Sequence, residues 1–219
     1  MSWPPARTPD RSRGIEHSVG TVSERSLARR SGAVAGYLLI SMSVTVLVAS
    51  ILANPWFSLE QNSISDLGRR SARMSTVYDA GLVAGGLLFV FFLGQTYQEQ
   101  ATNLGRLGLG LFGLTGLALL LIGLRSNGVD LPDSYALSLA LTGGLGLLFL
   151  GVSMLRRDVV FARPFVGVAM IGTILAMIAI VIFDGLAVAE LIAIAGYDVT
   201  IGILSIQLYH LPGISSSFE

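Results

Sequence analysis

A chain of 219 residues that is 53% hydrophobic and 13% charged, with a mean hydropathy of +0.71 and a formal net charge of zero, has too little charge to coat a water-soluble domain and no global field to draw nucleic acid. It has no Cys and no Lys, and its two His, His17 and His210, lie outside its apolar runs. Disulfides, thiolate nucleophiles, Cys-held metals, a Schiff-base lysine and a buried His cluster for metal hydrolysis are thereby excluded, and neither a metal nor a cofactor is expected.

Residues 1–31 are polar and rich in Arg, Ser and Pro, without the apolar core of a secretory signal, and are expected to form a disordered arm. Six Arg (Arg7, Arg11, Arg13, Arg25, Arg29 and Arg30) stand there against Asp10, Glu16 and Glu24. Such a balance suits anionic lipid headgroups and also serves as an orientation signal. Residues 32–210 then carry six apolar runs, at 33–53, 77–97, 104–124, 136–155, 165–183 and 187–208. Each has about the ~20 residues a helix needs to cross a hydrocarbon core. The expected fold is all-α, a polytopic six-helix transmembrane bundle integral to the cell membrane, with a short tail at 211–219.

Cytoplasmic segments carry excess Arg. With the arm inside, the inner side holds ten: the six of the arm, Arg106, Arg156, Arg157 and Arg163. The outer side holds four, Arg69, Arg70, Arg73 and Arg125, so both termini are expected in the cytoplasm. Glu60, Asp66, Asp130, Asp133, Asp184, Glu190 and, at the start of the second span, Asp79 then fall on the outer side. Asp79 and Glu190 also sit where a helix N-terminus favours a carboxylate.

After the first span comes Asn54-Pro55-Trp56-Phe57, then Asn62-Ser63-Ile64-Ser65-Asp66-Leu67-Gly68. Pro55 ends the helix, Trp56 and Phe57 suit headgroup depth, and the short polar side chains bond local backbone. Gly68 suits a turn. The loop is expected to be folded, as a cap on the outer mouth of the bundle. Asp66 is read two ways. It either caps a short helix beginning at Leu67, or gathers with Asp184 and Glu190, pairing with Arg69 or Arg125 or binding a cation or headgroup. Glu190 divides in the same way.

Small residues line the later spans. Gly81 and Gly85 lie in the second, Gly105, Gly108, Gly110, Gly113 and Gly116 in the third, and Gly143, Gly144 and Gly146 in the fourth. They favour close helix packing within the chain, with a homo-oligomer face as the second reading. In the sixth span Asp198 lies at mid-membrane depth, on the order of ~15 Å from either end. A charge there is costly and turns inward, toward hydroxyls such as Tyr197, Thr200, Ser41, Ser43, Thr115 or Thr142. It reads either as a proton or cation relay or as a hydrogen-bonded packing acid. Tyr78-Asp79 and Tyr197-Asp198 spell the Tyr-Asp of intramembrane aspartyl proteases, but the partner Gly-x-Gly-Asp is absent.

The loop motif Asn54-Pro55-Trp56-Phe57 with Asn62-x-Ile64-Ser65-Asp66-Leu67-Gly68 resembles the domain of unknown function 998 family. Tyr78-Asp79-x-Gly81-Leu82-x-x-Gly85 is similar to that family's second helix, with Asp79 where members often have Asn. Ala187-Val188-Ala189-Glu190-Leu191-Ile192 is similar to the start of its last helix, with Ala189 in place of Pro. The third-loop Pro-Glu and His of many members are replaced by Asn127-Gly128-Val129-Asp130-Leu131-Pro132-Asp133-Ser134. The resemblance covers about residues 33–210 and implies a prokaryotic six-helix membrane protein, with no activity attached.

Three functional classes fit. The first is a non-catalytic bundle that binds lipid or a partner protein. The second is a small proton- or cation-coupled permease using Asp198. The third is a lipid-headgroup hydrolase or transferase using Asp66, Asp184 and Glu190. The lack of a Ser-His-Asp set leans away from an enzyme.

Overall fold

A computed structural model of the chain describes residues 11–125, 133–159 and 161–210. Among these there are six α-helices: α1 Arg11–Ala53, α2 Ser75–Gln98, α3 Asn103–Arg125, α4 Asp133–Leu155, α5 Ala162–Ile182 and α6 Ala187–His210. One 3-10 turn, Ile64–Gly68, stands between α1 and α2, and no strand occurs among the described residues. Five segments, Ser26–Ala53, Ser75–Gln98, Asn103–Leu124, Ala162–Ile182 and Ala187–His210, are long and apolar enough to cross a membrane. In α4 the apolar stretch among the described residues is Leu141–Leu155.

α1 begins at Arg11, far ahead of its apolar part, so the segment expected as a disordered arm is helical from that residue on. No proline stands between Pro9 and Pro55. Once the apolar turns have formed, propagation toward the N-terminus adds a hydrogen bond per residue without a new nucleus. Residues 1–10, the third-loop residues 126–132 and the tail 211–219 lie outside the described residues.

Each helix packs on its neighbours in the chain, and α6 closes on α1, giving an up-and-down ring. Its core is aromatic and aliphatic, with Phe92, Phe112, Phe165, Leu150 and Leu204 fully buried. Phe112 stands edge-on between two rings, 4.8 Å from Phe89 and 5.2 Å from Tyr197 by centroids. The outside stays aliphatic: Leu52 is 77% and Val181 85% exposed, an apolar girdle with no soluble counterpart.

The α3–α4 contact depends on missing side chains. A methyl group on Gly108 would stand 2.6 Å from the Gly146 carbonyl oxygen, and one on Gly146 would stand 2.6 Å from the Phe112 nitrogen. Gly110, on the same helix, has nothing within 4 Å. At the end of the bundle away from the 3-10 turn, Arg29 pairs with Glu99 at 3.5 Å, and the hydroxyls of Thr102 and Ser153 meet at 2.5 Å.

Candidate functional site

The loop between α1 and α2 is built around Asn54, which is 1% exposed. α1 stops at Ala53 because Pro55 cannot continue it. The Asn54 amide then replaces the missing backbone partners. Its Nδ2 donates to the carbonyls of Ser50 at 2.8 Å and Arg73 at 2.9 Å. Its Oδ1 accepts from the Arg73 N–H at 2.7 Å and the Trp56 Nε1 at 3.0 Å. Both backbone groups of Arg73 are thus clamped, immediately before Met74 enters α2 through a left-handed conformation at φ 62°. Asn62 repeats the device on a smaller scale, its Oδ1 accepting from the Ser58 N–H at 2.7 Å.

Asp66 is buried and engaged. One carboxylate oxygen accepts the Ser63 N–H at 3.0 Å, and the other meets Arg69 Nη2 at 3.0 Å. The turn it caps is Ile64–Gly68 with Ser63 at its start, rather than a helix opening at Leu67. Glu190, from the first turn of α6, accepts the Ile64 N–H at 2.5 Å. A carboxylate bonds such an N–H more strongly than a neutral acceptor would, which suits a tether between distant segments.

The turn between α5 and α6 completes the cap. Gly185 N–H donates to the Glu60 carbonyl at 2.7 Å, and Ala187 N–H to that of Asn62 at 2.9 Å. A methyl group at Gly185 would collide with the backbone of Asn62, so only glycine allows this approach. Beneath, Leu67, fully buried, packs with Ile64, Tyr78 and Ala187. Gly68 lies against the side chains of Tyr78 and Asp79. The buried Tyr78 lies in the combined field of Glu190, Asp79 and Asp66.

Under this cap lies a cavity of about 120 Å³ between α1, α2, α3 and α6. Ile64 and Tyr78 line its cap end, and Phe89 and Ile201 its deep end. The wall is mainly aliphatic. Its polar part comes from Ser43, Thr115, Tyr197 and Asp198. Asp198 stands about 17 Å along α6 at 1.5 Å per residue. Its Oδ2 accepts from Ser43 Oγ at 3.3 Å, and Ser43 is its one hydrogen-bond partner among the described residues. The other hydroxyls expected nearby mostly turn to their own helices, Ser41 to the Tyr37 carbonyl, Thr142 to that of Ser138 and Thr200 to that of Gly196. Thr115 Oγ1 is buried with no hydrogen-bond partner. A smaller apolar cleft of about 40 Å³ between α4, α5 and α6 shares Tyr197 as a wall.

The four candidate acids therefore have different surroundings. Asp66 and Glu190 converge on the 63–66 turn through backbone N–H groups. Asp184 is exposed in the α5–α6 turn, and Asp198 borders the cavity. No three His, Cys, Asp or Glu gather as a metal-holding group among the described residues. Of the loop motif, Asn54, Asn62 and Asp66 form the internal bonds. Pro55 and Trp56 are exposed, Phe57 packs against the buried cluster, and Ser65 Oγ meets Ser63 Oγ at 3.0 Å. Sequence reasoning missed Gly185 and Arg73. The Asp184-Gly185 pair is a turn signal that would have drawn attention to the first. Arg73 takes part through its backbone, which leaves no mark on residue type.

A family model described as a protein of unknown function (DUF998) matches residues 33–207. No curated protein and no solved structure gives a match.

Proposed function

The chain belongs to the DUF998 family of proteins of unknown function, and from that premise we propose that it is a non-catalytic, six-span protein of the cell membrane that binds a small lipid-soluble molecule in its internal cavity. In this reading α4 is the sixth crossing, both termini are cytoplasmic, and the N-terminal Arg lie against anionic headgroups. The observation that carries it is the roughly 120 Å³ space beneath the hydrogen-bonded cap. A close-packed interior has few voids larger than a water molecule, and apolar cavities of about 150 Å³ take up benzene. By that scale this one suits a compact molecule of about five non-hydrogen atoms. The test is a titration of the detergent-solubilised protein with isobutanol, read at the Met42 methyl group, which borders the cavity. A saturable shift in the wild type that Ile194→Trp abolishes supports the reading, and a wild type without one removes it.

A second reading, a proton- or cation-coupled permease, draws on Asp198 and its Ser43 partner standing at mid-depth in the wall. Ion flux into proteoliposomes that Asp198→Asn leaves unchanged would end it. The headgroup-hydrolase reading draws no support from this geometry, because Asp66 and Glu190 hold backbone N–H groups and Asp184 is exposed.

A further inference from the structure

We propose that the molecule the cavity takes is a small apolar amine in its ammonium form, held at Asp198 and surrounded by aromatic rings. This rests on the cavity being a binding site and adds the chemical class of the ligand.

Charge selects first. The lining holds one carboxylate, Asp198, and no Arg or His. An anion would find no positive group there. A carboxylate at mid-membrane depth is costly without a cation, and a bound ammonium supplies one. Asp198 is also under-used. An ionised carboxylate offers about four acceptor positions, and Ser43 takes one of them at 3.3 Å. Metal ions fit less well, since hard cations need six or more oxygen ligands and the wall offers one carboxylate among mainly aliphatic side chains.

Two further features point the same way. Tyr78, Phe89 and Tyr197 all border the cavity, and Phe112 backs two of them edge-on. Ring faces attract ammonium groups, more strongly where water is absent. Thr115 Oγ1, buried in the wall without a partner, is a ready acceptor for a second ammonium N–H.

The test compares isobutylamine with isobutanol, which match in size and shape and differ in the head group. Both are titrated into the full chain in detergent micelles carrying ¹³C-methyl methionine. Met42 reports on the cavity, and Met154, buried in the core cluster that includes Phe165, serves as the control. The amine is expected to bind about tenfold more tightly than the alcohol. Asp198→Asn is expected to bring the two within about twofold while isobutanol still binds, which also reports that the variant is folded. Alcohol binding with no preference for the amine would overturn the amine proposal and leave the cavity reading standing. An amine preference that survives Asp198→Asn would also overturn it. Absence of binding by either compound would overturn both. If the variant does not fold, the wild-type comparison decides by itself: an amine preference supports the proposal, and equal binding or none overturns it.

Discussion

Asn54 does the work of several backbone groups. With the chain turning away at Pro55, its single amide satisfies a carbonyl of α1, both backbone groups of Arg73 and the Trp56 indole. Asn54→Ala removes four bonds, one of them to a buried carbonyl and three to part-buried groups, and is expected to lower stability by about 3 kcal/mol, against about 1 kcal/mol for Asn62→Ala, which loses one bond. Thermal unfolding in detergent checks the order: equal losses would mean the clamp is not what holds the loop. The type of residue was legible here, since Asn, Ser and Asp between apolar runs announce a folded turn. The partners were not. Ser50, Arg73 and Ile64 contribute backbone atoms, and backbone atoms have no sequence signature. Asp66 and Glu190 show the same limit, because a carboxylate that binds a cation and one that binds an N–H read identically in a sequence.

Among the elements, the glycines of α3 are the clearest case of one composition with two meanings. Six glycines lie in that span, and the five from Gly105 to Gly116 suggest a continuous packing face. In the folded bundle Gly108 touches the backbone of α4, while Gly110 points to open space. Gly108→Ala is therefore expected to cost about 1–3 kcal/mol through overpacking, and Gly110→Ala to change stability little or to raise it slightly through helix propensity. Comparable losses in the two variants would contradict the α3–α4 packing described here. Helix existence was largely legible, because about twenty apolar residues in a row leave little alternative. Helix starts were less so. α1 reaches back to Arg11 through residues whose polarity resembled a disordered arm, since polarity alone does not stop a helix that is already nucleated downstream.

For the molecule as a whole, ring closure could not be read from the runs themselves, because six runs say nothing of which faces meet. Asp198 signalled that something polar was turned inward, but its partner was one of several hydroxyls until α6 was seen beside α1. Orientation is open to direct measurement because the chain has no cysteine and any introduced one is unique. Glu60→Cys and Arg157→Cys fall on exposed residues at opposite ends of the bundle. A membrane-impermeant maleimide added to intact cells is expected to label the first, and the second only after permeabilisation; the reverse pattern would invert the proposed topology. The tether from Glu190 to Ile64 spans 126 residues of chain. A ribosome working at about 5–20 residues per second takes roughly 6–25 s to synthesise that interval. Throughout it the first loop is already complete while the acceptor for its Ile64 N–H does not yet exist. A nascent chain truncated before α6 would carry a half-fastened lid and an α1 flank with nothing packed on it.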